Sequence, residues 1–189
     1  LDGSASVAAD IPFKQLAPKA YKISAYGGIA LSPSGNWATA LSVMHNTMFG
    51  MKSSYGVAVF RSGMDPAWAF LPGDADHQHG TLAFSRDGRV LAGIMGLYNN
   101  RVWIWDAQKA EIIRKLDLKI EDFRHPSGLS FSPDGSWLLV GVESSIQVFD
   151  TQTWNNVSQM LSPDSVGNVT CLAISADGTT AAAGQWNGP

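Results

Sequence analysis

One stretch of the sequence carries side chains spaced for metal chemistry, the segment DADHQH over residues 74–79. On an extended segment His77 and His79 point to the same side, and with Asp74 they could ligate a divalent ion through imidazole and carboxylate groups. The same residues suit an ordinary polar loop, and this interpretation is favoured because short motifs often match by chance. Asp74, His77 and His79 stay as metal-ligand candidates, while the favoured interpretation includes no metal and no other cofactor.

The rest of the sequence carries no motif for catalysis. It has no G-x-S-x-G nucleophile elbow, no Walker-type phosphate loop and no G-x-G-x-x-G between a strand and a helix. Cys171 is the single cysteine, which excludes an intrachain disulfide and a Cys-rich zinc site, and its apolar neighbours predict a buried side chain. We therefore predict that the chain is not an enzyme and assign no catalytic residue.

Composition limits the partners that the chain can bind. The sequence of 189 residues is 45% apolar and 15% charged, with a net charge of −3, so no broad basic surface is present to hold nucleic acid. No apolar run reaches the ~18 residues of a membrane span. These features favour a folded protein with a protein partner. A cytoplasmic location is favoured, and export is the alternative.

A short turn occurs four times along the chain. The sequences LSPSG, FSRDG, FSPDG and ISADG place their serines at 32, 85, 132 and 175, at separations of 53, 47 and 43 residues. Each turn lies between two apolar runs, and three of them carry Asp-Gly, which accepts the left-handed backbone conformation that a tight reversal needs. The residues predicted to form these structural turns are Ser32, Gly35, Asp87, Gly88, Asp134, Gly135, Asp177 and Gly178.

Each turn belongs to a larger unit, which has four short strands in the three complete copies and two strands in the last. Two apolar runs flank the turn, a third run such as RVWIWD follows, and a more polar fourth run such as EIIRKL completes the unit. A dry inner edge and a wet outer edge suit radial packing around a channel, so we predict an all-β fold: a β-propeller of four-stranded antiparallel blades, with about three complete blades plus partial terminal blades.

The predicted organisation assigns most of the chain to this propeller. The blades cover 26–73, 79–118, 126–162 and, in part, 166–189; residues 11–17 form an outer strand of a neighbouring or closing blade, and residues 1–10 form a flexible N-terminal segment. Since propeller rings typically need at least about four blades, we expect further sequence or another chain to supply the remaining ones.

The third strands end in a recognisable way. The sequences VWIWD over 102–106 and IQVFD over 146–150, each following its turn, resemble the WD-repeat β-propellers over most of residues 11–189. The family's Gly-His pair and its buried Asp are not kept at the matching places, so the repeats are degenerate. The resemblance implies a disc that binds proteins through its loops.

Aromatic residues are predicted to build the core. Trp37 and Trp137 lie at matching distances from their turn serines, and Trp103 and Trp105 lie two apart on a third strand. Large aromatic side chains contribute mostly to core packing. We therefore predict that all four pack within or between blades.

The segment MHNTMFGMKSSYG over 44–56 departs most from the repeat. We predict a long loop there, whose Met and aromatic side chains either contact a partner or fold back on the blade. In WD-type blades this connection opens on the same face as the connections between blades. The predicted partner-binding residues of that face are Met48, Phe49, Met51, Tyr55, Asp76, His77, His79, Tyr98 and Asn99.

Two functions remain open at this point. The first is a non-enzymatic propeller scaffold that mediates protein–protein interaction within a larger protein or complex. The alternative is an exported propeller that binds or converts a small molecule in its central channel with a metal or organic cofactor. Metal analysis and a test of the unrepeated loop would separate the two.

Overall fold

The computed structural model describes seven ranges of the chain: 22–48, 50–65, 67–72, 80–95, 101–118, 128–161 and 167–186. These ranges form fourteen β-strands and contain no helix. A helix long and apolar enough to cross a membrane is therefore not found among them. The predicted N-terminal segment 1–10 and the predicted outer strand 11–17 lie outside these ranges.

The strands form three sheets of four strands and one of two, all antiparallel and paired in chain order. The sheet called blade 1 contains β1 (Lys22–Leu31), β2 (Trp37–Thr47), β3 (Gly50–Phe60) and β4 (Trp68–Pro72). Blade 2 contains β5 (Gly80–Phe84), β6 (Val90–Met95), β7 (Arg101–Asp106) and β8 (Glu111–Asp117). Blade 3 contains β9 (Gly128–Phe131), β10 (Trp137–Val142), β11 (Ser145–Asp150) and β12 (Asn156–Leu161). The two-stranded sheet contains β13 (Asn168–Ile174) and β14 (Ala181–Trp186). The predicted all-β blade architecture is confirmed.

The core lies between the faces of successive blades. Alternate side chains of a strand point to opposite faces, so an inner blade contributes to two interfaces. One buried cluster joins Val57 and Leu71 of blade 1 to Leu91 and Trp105 of blade 2. A second cluster joins Ile104 on the other face of blade 2 to residues of blade 3 that include Leu138, Val140 and Phe149. Trp103 and Trp105 are buried, as predicted.

Three of the four repeated turns share a hydrogen bond between side chains. In these three the serine hydroxyl donates to the Asp Oδ1 two residues later, at 2.6 Å for Ser85 and 2.5 Å for Ser132 and Ser175. Ser32 instead bonds the hydroxyl of Ser34 at 2.8 Å. The turn glycines at 35, 88, 135 and 178 all have positive φ, between +70° and +83°. The predicted turn residues thus lie in turns.

The first turn is one residue shorter than the others. The backbone N–H of Ser32 bonds the carbonyl of Asn36, whereas that of Ser132 bonds the carbonyl of Trp137. Trp37 is therefore equivalent to Leu138, and the prediction that Trp37 and Trp137 occupy matching places was wrong. A shift of one residue turns a strand side chain to the other face of its sheet. Trp37 packs in blade 1 against Trp68, with ring centroids 4.8 Å apart, while Trp137 is 40% exposed.

The prediction of a buried Cys171 was also wrong, because this side chain is exposed. Its apolar neighbours in sequence resemble those of the first strands of the other blades. Among the described residues, however, no further sheet packs on the face of β13 and β14 that carries Cys171. Burial of a strand side chain depends on that packing as well as on the apolar run.

The turn hydrogen bonds hold the pKa values of Asp134 and Asp177 at about 2. Asp134 Oδ1 accepts from the Ser132 hydroxyl and from the backbone N–H of Ser136, and both bonds favour the charged carboxylate. Since the folded pKa is below the ordinary value, the stability from this pair of carboxylates is present above about pH 4 and is lost as the pH falls toward 2.

We expect Ser132→Ala to raise the pKa of Asp134 toward the ordinary value near ~3.9, because the carboxylate loses its main donor. An NMR titration of the side-chain carboxyl carbons measures this change. Asp177 is the internal control, since its bond from Ser175 is untouched. A pKa of Asp134 that stays at about 2 in the variant would show that the hydroxyl is not the cause.

Candidate protein-interaction surface

The segment 44–56 is part of a β-hairpin and not a loop. β2 and β3 pair without interruption from Trp37 opposite Phe60 to Thr47 opposite Gly50. The predicted long loop was therefore wrong in conformation. Pairing satisfies the backbone N–H and C=O groups that a loop would leave to water. The mixture of polar and apolar side chains in this segment suits a strand with little core contact as well as a loop.

The end of this hairpin extends past its neighbours. β2 and β3 have 11 residues each, against six in β6, β7, β10 and β11. β4 pairs with β3 only over Gly56–Phe60, and β1 reaches Met44 of β2. Residues 45–52, called the β2–β3 extension from here on, are paired only with each other among the described residues. Met48 lies at their tip and is 94% exposed.

The other predicted contact residues have different positions. Tyr55 lies at the base of the extension, half-buried, where it packs against the cluster between blades 1 and 2. Met51 lies on β3 opposite Asn46. The remaining predicted contact residues lie outside the described residues: Phe49, Asp76, His77, His79, Tyr98 and Asn99. Their place in the site remains a prediction.

The described strand ends show where the neighbouring connections begin and end. β4 ends at Pro72, opposite Gly56 at the base of the extension, and β5 begins at Gly80. Gly80 pairs with Met95, the last residue of β6. The strand ends Pro72, Gly80 and Met95 therefore lie at the end of the blades from which the extension projects. The predicted metal-ligand candidates Asp74, His77 and His79 lie outside the described residues.

The part of the chain that the structure describes contains no group of three or more His, Cys, Asp or Glu side chains placed to hold a metal ion. Several turn carboxylates accept hydrogen bonds from backbone N–H groups. Asp106 Oδ1, for example, accepts from the N–H groups of Gln108 and Lys109. Carboxylates held in this way fix the turns of the blade.

The opposite ends of the blades are joined by hydrogen bonds that the sequence did not reveal. The Asn36 side chain is buried, donates to the Gly88 carbonyl at 3.0 Å and accepts from the N–H of Ser62 at 2.8 Å. Arg61 Nη1 donates to the Gln108 carbonyl at 2.6 Å. Blades 1 and 2 are thus connected by side chains that bond backbone atoms of the next blade.

A groove of about 430 Å³ opens between blades 2 and 3, at the end of the blades that carries the repeated turns. Its walls include the apolar side chains of Phe131 and Trp154 and the charged side chains of Arg86 and Asp134. Trp154 has a φ of +58°, a conformation that usually favours glycine or asparagine. Sequence reasoning missed this groove, since its walls come from turns of two different repeats.

These features define the class of protein as one built from β-propeller blades. A hairpin projects from one end of the blades, and hydrogen bonds link the turns of blades 1 and 2 at the opposite end. The family described as "WD domain, G-beta repeat" matches residues 121–150, which include β9, β10 and β11 of blade 3. Residues 121–150 thus match a WD repeat, and the predicted resemblance to the WD-repeat β-propellers is confirmed.

Two curated relatives are similar to a longer part of the chain. Both are called Protein HIR1 and come from Cryptococcus neoformans var. neoformans serotype D, one from strain JEC21 and one from strain B-3501A. Each is 32% identical over 114 residues, which is 57% of this chain and 12% of the relative. The similarity therefore covers a small part of each relative's length.

Proposed function

We propose that this chain is a non-enzymatic propeller scaffold that binds a protein partner through the β2–β3 extension, within a larger protein or complex. The observation that carries the proposal is the 94% exposure of Met48 at the tip of that extension. A methionine side chain is apolar and has three rotatable bonds, so it adapts to the surface of a partner. The WD repeats support the same role, since repeated blades form a rigid support for variable connections.

The extension is not needed to build the blade. Blades 2 and 3 form with second and third strands of six residues. The buried residues that β2 and β3 give to the core, Ala38, Ala40, Val57 and Val59, lie at the base of the hairpin. Within 45–52 the structure describes the burial of Met48, which is exposed and belongs to neither core cluster. This separation between core and extension favours a role in recognition.

A photo-crosslinking side chain at position 48 tests the proposal directly. We expect it to trap one protein from extracts of the source cells, which mass spectrometry identifies. The same crosslinker at position 109 is the control, because Lys109 is exposed in the turn between β7 and β8 at the opposite end of the blades. Trapping of the same protein from both positions would contradict binding through the extension.

Affinity for the trapped protein provides the quantitative test. We expect Met48→Glu to weaken binding at least about tenfold, or ~1.4 kcal/mol, because the partner's apolar contact would face a charge. Met64→Glu is the matched control, since Met64 is 41% exposed in the turn between β3 and β4. Isothermal calorimetry with the purified partner measures both. Equal affinities for Met48→Glu and the unchanged chain would overturn the proposal.

A further inference from the structure

The groove between blades 2 and 3 lies at a place where blades 1 and 2 are bonded to each other. Asn36 of blade 1 donates to the Gly88 carbonyl of blade 2, and Arg61 donates to the Gln108 carbonyl. Blades 2 and 3 are both complete four-stranded sheets. Among the described residues, none that lines the groove forms a hydrogen bond across it. The turns of these two blades are therefore left apart.

Two differences between the repeats explain why this groove is open. The backbone N–H of the turn serine bonds the carbonyl of Asn36 in blade 1 and that of Val90 in blade 2, so these two residues are equivalent. Asp106, which pairs with Val90, occupies the place of Arg61. Valine has no side-chain donor, and Asp106 Oδ1 accepts from backbone N–H groups of its own turn. Blade 2 thus lacks the two side chains that would reach the next blade.

The floor of the groove is apolar. Its three side chains are half-buried and pack against the core cluster between blades 2 and 3: Val90, Phe131 and Trp154. The volume of about 430 Å³ lies toward the lower end of the range of ~300–1,000 Å³ found for ligand pockets. A space of this size suits a few side chains of an inserted segment.

The turn between β11 and β12 holds Trp154 in place. The N–H of Trp154 donates to the Asp150 carbonyl at 2.7 Å, and Asp150 Oδ1 accepts from the N–H and the hydroxyl of Thr153. The Thr151 hydroxyl donates to the Gly135 carbonyl at 2.6 Å, which connects this turn to the turn between β9 and β10. The wall that blade 3 contributes is therefore formed before any ligand binds, and a pre-formed site loses less conformational entropy on binding.

The rim of the groove carries more negative than positive charge. Its exposed side chains are the carboxylates of Asp87 and Asp134 and the guanidinium of Arg86. Hydrogen bonds from the Ser132 hydroxyl and the Ser136 N–H hold the pKa of Asp134 at about 2, so this carboxylate is charged at neutral pH. A carboxylate can accept roughly four hydrogen bonds. The two from the turn therefore leave capacity for a cationic donor.

We propose that this groove binds a segment of a partner protein that inserts an Arg or Lys side chain between Trp154 and Asp134. The methylene stem of such a side chain packs on the apolar floor, and its cationic head meets the carboxylates and the indole face. Charge complementarity selects this partner, because an inserted carboxylate would meet two carboxylates and only one guanidinium, that of Arg86. The groove lies at the opposite end of the blades from the β2–β3 extension, so this contact is independent of the one proposed there.

A phage-displayed library of short random peptides is the probe for this groove. We expect selection on the purified protein, with counter-selection on Trp154→Ala, to enrich peptides that carry Arg or Lys next to an apolar residue. Trp154→Ala is expected to fold, because Ala110 has the same backbone conformation in the turn between β7 and β8, with a φ of 59°. Circular dichroism checks this. A selection that yields no peptide dependent on Trp154, or no enrichment of Arg or Lys, would overturn the proposal.

Fluorescence anisotropy with one selected peptide measures the role of charge. We expect Asp134→Asn to raise the Kd at least about tenfold, since asparagine keeps an acceptor oxygen for the turn and loses the charge. Asp177→Asn is the matched control, because Asp177 has the same bond from its turn serine and does not line the groove. We expect Arg86→Ala to lower the Kd by removing a like charge. Equal Kd values for the two Asp→Asn variants, or a higher Kd for Arg86→Ala than for the unchanged protein, would contradict insertion of a cationic side chain.

Discussion

Trp105→Ala is expected to lower the free energy of unfolding by about 3–5 kcal/mol. Trp105 is fully buried between blades 1 and 2, and its ring stacks on that of Trp103 with centroids 5.9 Å apart. A Cβ at Gly93 would lie 2.8 Å from Trp105 Cζ3, so the indole fills the space that this glycine leaves. Truncation opens a cavity in a closely packed interface, and urea denaturation measures the loss.

Two control variants separate the cavity from other effects. Trp105→Phe keeps a ring in the interface and removes an indole N–H that is buried without a hydrogen-bond partner among the described residues. We therefore expect it to cost less than Trp105→Ala. Trp137→Ala removes the same side chain at a site that is 40% exposed, and we expect a smaller loss there as well. Equal losses for Trp105→Ala and Trp137→Ala would refute the packing argument.

Gly88→Ala is expected to lower the free energy of unfolding by about 2–4 kcal/mol, from backbone strain and collision together. Gly88 has a φ of +70°, which costs any L side chain about 1–2 kcal/mol. An alanine Cβ would also collide with the hydroxyls of Ser34 and Ser32 and with the Asn36 amide. Since Asn36 bonds the Gly88 carbonyl, the collision disturbs the connection between blades 1 and 2.

Gly135→Ala is the matched control for Gly88→Ala. Gly135 occupies the same place in the turn of blade 3, with a φ of +76°, but nothing lies within 4 Å of an added Cβ. We expect this variant to lose only the backbone cost of about 1–2 kcal/mol. The difference between the two variants, measured by urea denaturation, isolates the contact between turns. Equal losses would mean that this contact adds nothing to stability.

The blade architecture could be predicted because its signals are local. A turn of fixed composition between two apolar runs specifies a hairpin without any distant contact. The repeat then sets the register of the units, since Ser32, Ser85, Ser132 and Ser175 all lie at the same point of their hairpins. The burial of Trp103 and Trp105 followed from the tendency of large aromatic side chains to build cores.

The wrong predictions for Trp37 and Cys171 have two causes. A turn that is shorter by one residue changes the face of a side chain, and a sheet far away in sequence decides whether a side chain is buried. The missing residue in the first turn changes the face of Trp37, but the motif LSPSG alone does not reveal the length of the closed turn. Cys171 has the apolar neighbours of a buried residue, and its exposure depends on which sheet packs beside it. Neither fact is contained in the local pattern.

The sequence pointed to the segment of the candidate site but not to its conformation, and the role of that segment stays a prediction. Segment 44–56 is unusually long, and it lies in the hairpin whose strands are longer than the second and third strands of the other described blades. Its conformation was missed because polar and apolar residues mix in exposed strands as they do in loops. Tyr55 shows the limit of composition: it belongs to the unrepeated segment, yet it packs against the core cluster.

The bond from Arg61 to blade 2 has a consequence for how these repeats change over evolutionary time. Its acceptor is the main-chain carbonyl of Gln108, and the Gln108 side chain itself is exposed. Every amino acid has such a carbonyl, so a change of side chain at position 108 keeps the acceptor of the Arg61 bond. Blades joined by such bonds tolerate degenerate repeats. Each bond depends on the identity of one side chain, whereas a bond between two side chains depends on both.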